Sequence, residues 1–75
     1  MSGTSPSIAE QRCWRVWSSK LREARHWKAR ATHWTDRGRA TDAQRCEDQR
    51  HHAALAAQRS RARALGLRAL RGDEA

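Results

Sequence analysis

The chain contains no phenylalanine, tyrosine or asparagine, and proline, valine and isoleucine each occur once. With strand-forming side chains this scarce, helices are expected and sheets are not. Long apolar runs are missing too. The longest is Ala53-Ala54-Leu55-Ala56-Ala57, far short of the roughly 20 residues a membrane-crossing helix requires. The opening MSGTSPSIAEQR is polar and lacks the apolar stretch of a secretory signal. Two cysteines, Cys13 and Cys46, are too few for a disulfide scaffold and suit a reducing compartment as small buried residues. The chain is therefore read as soluble and cytoplasmic.

Acidic residues are in deficit. Eight Asp and Glu face sixteen Arg and Lys, for a net charge of +8 at pH 7, and the isoelectric point near 11.4 makes the molecule cationic at any physiological pH. Such a chain seeks polyanions or acidic protein surfaces. All basic residues but Lys20 and Lys28 are arginine, a bias that tracks GC-rich codons and points to a high-GC bacterium or one of its phages. At 75 residues the chain is one domain at most, with a thin core that needs very regular helices or a partner chain to support it.

Metal and catalytic patterns are also lacking. His26 and His33 are seven residues apart, about 10.5 Å along a helix axis and too far apart for one ion. Cys46 and the His51-His52 pair project to different faces, and the Cys, His, His, Cys order matches no zinc-finger spacing. A cysteine nucleophile would need an orienting group and a pocket that two helices do not readily supply. No catalytic residue, metal site or cofactor is assigned.

What is present is strongly patterned. Ser7-Ile8-Ala9-Glu10 fits a capping box, with Pro6 just before it. At 100° per residue, Trp14, Trp17, Leu21, Ala24, Trp27, Ala31 and Trp34 share one arc, joined by Cys13 and Val16, while Arg12, Arg15, Arg22, His26, Arg30 and His33 lie opposite. This predicts an amphipathic first helix over residues 7–35 after a disordered segment 1–6. Gly38 marks a turn over residues 36–40, and Thr41-Asp42-Ala43-Gln44 reads as a second capping box opening a helix over residues 41–65. Gly66 and Gly72 predict fraying and a flexible tail over residues 66–75. The fold class is all-α, a two-helix antiparallel hairpin.

The second helix offers two seams of small residues, one at Ala43, Cys46, Ala53, Ala57 and Ala64, the other at Leu55, Ala62, Leu65 and Ala69. Counting outward from the turn sets Trp14 near Ala62 and Leu21 near Leu55. A stripe of four tryptophans exceeds what one helix of alanines covers, which predicts a homodimer, forming a small bundle, or a partner groove.

Function follows from charge. From residue 50 to residue 71 the chain carries Arg50, Arg59, Arg61, Arg63, Arg68 and Arg71 without one acid. Such a run neutralises successive phosphates and releases counterions. The leading expectation is a non-enzymatic protein that binds DNA or RNA through these arginines with little sequence specificity, since no base-reading motif is identifiable. A second is an adaptor or inhibitor laying its tryptophan stripe in an acidic partner's groove. A third is a peripheral membrane binder, because Trp and Arg on one amphipathic helix also describe interfacial peptides.

Overall fold

The computed structural model describes residues 6–72, with side chains as far as Leu70. Most of the segments expected to be disordered, residues 1–5 and 73–75, lie outside the described residues. Two helices, α1 (Ile8–Asp36) and α2 (Ala40–Gly72), lie antiparallel in a rod of 58 × 17 × 15 Å. No described helix is long and apolar enough to cross a membrane.

Helix α1 begins where its cap demands. The Ser7 hydroxyl accepts the Glu10 amide at 3.1 Å, satisfying one of the amides a helix start leaves free. At the other end Gly38 takes φ +71°. The amides of Gly38 and Arg39 donate back to the carbonyls of Thr35 and Trp34, at 3.0 and 2.9 Å. This is a Schellman closure, and it needs a residue free of the Cβ penalty at Gly38.

That closure already turns the chain, so α2 starts two residues earlier than a cap at Thr41 implies. The carbonyl of Arg39 accepts the Ala43 amide at 2.9 Å, and Thr41 falls inside the first turn instead of capping it. Asp42 keeps its favourable place at the positive end of the helix and pairs with Arg39 at 2.9 Å.

Helix α2 continues past Leu65 to Gly72, so the stretch read as a fraying helix end is helical as far as it is described. Gly66 costs the helix about 1 kcal/mol relative to alanine. Against that, Ala64 is wholly buried, and Arg68 is tied to α1 by an ion pair to Glu10 at 3.5 Å and by its guanidinium lying 5.4 Å over the Trp14 ring. These contacts set the register. Trp14 faces Arg68 in place of Ala62, and Val16 shares a groove with Ser60 and Arg63.

Covered positions recur every seven residues in both helices. In α1 these are Glu10, Trp17, Ala24 and Ala31, with Cys13, Lys20, Trp27 and Trp34 beside them; in α2 they are Ala43, Arg50, Ala57 and Ala64, with Cys46, Ala53, Ser60 and Leu67. A strict seven-residue repeat is the pattern of a left-handed coiled coil. Of the two candidate seams the first is the one α1 covers: Ala43, Cys46, Ala53, Ala57 and Ala64 are buried, whereas Ala62 and Ala69 are exposed. Alanine on α2 lets the helix axes approach, and the large rings of α1 lie across them.

The seven residues of the tryptophan stripe all face this seam. Ala31 is buried, and Trp14, Trp17, Leu21, Ala24, Trp27 and Trp34 are half-buried. Val16, grouped with them by periodicity, is instead 44% exposed, because it lies at the margin of the interface. Trp14 and Trp17 meet edge to face at 5.5 Å. The Trp14 indole donates to the buried Glu10 carboxylate at 3.0 Å.

Candidate nucleic-acid interface

The seven-residue register assigns every arginine to a side of the rod. Two flat faces flank the seam. On one of them Arg12 and Arg30 of α1 lie beside Arg45, Arg59 and Arg63 of α2, and all five side chains are exposed. His26, His33 and His52 share this face and are exposed as well.

The acids nearest this face are already neutralised. Glu23 pairs with Lys20 at 3.0 Å, and Asp42 pairs with Arg39. The Lys20 hydrogen bond and charge hold the Glu23 carboxyl below its ordinary value. No ion pair engages Arg12, Arg30, Arg45, Arg59 or Arg63 among the described residues. Arg12 and Arg63 form the lips of a shallow groove of about 300 Å³, floored by Ala9, Cys13, Val16 and Ser60.

The arginine run of residues 50–71 is dispersed. Arg59 and Arg63 reach the face just described. Arg61 points to the opposite side, because two residues along a helix is a rotation of about 200°. Arg50 donates to Glu47 at 2.9 Å, so it enters as half of a neutral pair. Arg68 is held by Glu10 and Trp14. An acid 58 positions away in sequence thus reaches the far end of a run that contains none. The Arg71 side chain lies outside the described residues.

Arg12, Arg30 and Arg45 are the members of the face that the run did not include. Their signal was available in the sequence: Arg45, His52 and Arg59 are spaced by seven, the same repeat as the alanine seam. It becomes legible only once the true seam is chosen from the two candidates.

The tryptophan rings are poor platforms for stacking bases. Arg39 lies over Trp34 at 5.6 Å, Arg68 over Trp14, and His26 and His33 meet Trp27 and Trp34 edge to face at 5.2 and 4.9 Å. The Trp27 Nε1 is buried and without a hydrogen-bond partner, so this ring is held by packing. Among the described residues no group of three or more His, Cys, Asp or Glu side chains is placed to hold a metal ion.

Compared with protein-family models, with curated proteins and with solved structures, the chain matches none.

Proposed function

We propose that the hairpin is a non-enzymatic cytoplasmic protein that binds DNA or RNA through the phosphate backbone, with little sequence specificity. One observation carries this reading: five exposed arginines on a single face, Arg12, Arg30, Arg45, Arg59 and Arg63, with no intramolecular ion pair among the described residues. Spread along a rigid rod, they offer a row of planar donors suited to successive phosphates. No base-reading motif is identifiable in the sequence, and arginines lie over the Trp34 and Trp14 rings that could otherwise stack bases. With the tryptophans folded against α2, the apolar surface that an interfacial membrane helix would insert is used inside the molecule, which favours phosphate over lipid.

The test is the salt dependence of binding to a random-sequence DNA duplex. Each phosphate contact contributes about −0.9 to the slope of log K against log salt. Replacing Arg12, Arg30, Arg59 and Arg63 by Gln therefore flattens the slope by up to about three and a half units. Replacing Arg15, Arg22 and Arg61, which lie off this face, changes it by less than about one. Equal losses from the two sets would mean that net charge alone drives binding. An unchanged slope in the first variant refutes the interface.

A further inference from the structure

Helix α2 carries a second apolar seam that no other element covers among the described residues. Leu55, Gln58, Ala62, Leu65 and Ala69 follow one another at alternating spacings of three and four residues, the repeat that a packed helix partner requires. They face away from α1. Gln58, Ala62 and Ala69 are exposed and the two leucines are only half-buried. The seam is about 21 Å long at 1.5 Å per residue.

Two further features describe what fits it. Arginines flank it on both sides, Arg59 on one and Arg61 on the other, at the positions that choose a partner by charge in a coiled coil. Gly66 sits on its border, and a Cβ added there would meet nothing within 4 Å. The hairpin itself gives no packing reason for this glycine in mid-helix, whereas a second backbone approaching α2 would.

We propose that the outer face of α2 docks one amphipathic helix of a partner protein, with apolar residues along its seam and Glu or Asp flanking them. A second copy of this chain is the wrong occupant, because pairing this seam with itself sets arginine against arginine. The proposal is independent of the phosphate reading, although Arg59 borders both surfaces.

The probe is a synthetic helix of about 21 residues, three heptads long, with Leu and Ala at its seam and Glu at the flanking positions. Binding is followed by fluorescence anisotropy at about 150 mM salt and without nucleic acid. The Glu-flanked helix is expected to bind at least about tenfold more tightly than a Lys-flanked version or a scrambled peptide of identical composition. Ala62→Gln and Gly66→Ala each weaken binding several-fold while circular dichroism stays helical. Arg59→Glu with Arg61→Glu transfers the preference to the Lys-flanked helix. Failure of the Glu-flanked helix to bind, equal binding of the scrambled peptide, or indifference to Ala62→Gln overturns the proposal. So does sedimentation as a dimer that Ala62→Gln dissociates, since the second copy would then be the occupant.

Discussion

Among the described residues Glu10 is the largest fully buried side chain, at 1% exposure, and replacing it tests the register of the whole hairpin. Its Oε2 accepts the Trp14 indole at 3.0 Å and faces Arg68 of α2 at 3.5 Å. Glu10→Gln keeps an acceptor for the indole and removes the charge. A fully buried pair broken on one side costs about 3–5 kcal/mol, and a fully exposed one about 0–1. Because the Arg68 side chain is 55% exposed, water screens part of the attraction, and about 1–2 kcal/mol is expected. Glu10→Ala also leaves the Trp14 Nε1 unpaired, adding about 1–3 kcal/mol. For a domain of this size each kcal/mol lowers Tm by about 4–8 °C, so thermal melts by circular dichroism should place Glu10→Gln roughly 5–15 °C below the parent. Glu10→Ala should fall further still. A double-mutant cycle with Arg68→Gln should return a coupling of about 1 kcal/mol. A Gln variant as stable as the parent, or a cycle with no coupling, would refute the view that this ion pair joins the open ends of the helices.

Gly66→Ala fills open space on α2 and should raise stability by about 0.5–1 kcal/mol, read as a higher melting midpoint. Trp14→Phe should destabilise more than Trp27→Phe in the same melts, because the Trp14 Nε1 serves the buried Glu10 carboxylate while the Trp27 Nε1 has no hydrogen-bond partner to lose. Carbon-detected NMR titration should find the Glu23 carboxyl below its ordinary value of 4.5, and Lys20→Gln should return it towards that value. Since folding depresses this group, its contribution to stability is present above the unfolded value and is lost as pH falls through the folded one.

Local chemistry made much of this legible in advance. The capping serine, the left-handed glycine at the turn and the tryptophan arc each depend on residues within one or two helical turns, and Ser7, Gly38 and residues 14–34 behave as their types require. Long-range pairing was not legible in the same way. Periodicity offered α2 two equivalent seams, and only the bulk of the facing rings selects the alanine one, since tryptophan against leucine would hold the axes apart. Once that seam is chosen, the register fixes which cations remain free: Arg68 meets Glu10 across the interface, Arg61 turns away from Arg59 and Arg63, and Arg12 and Arg30 of α1 join those two and Arg45 on one face. Charge composition alone makes the chain cationic, because net charge is a sum over residues. Which arginines can reach an anion depends on which ones the second helix has already claimed, and that is a property of two surfaces in contact.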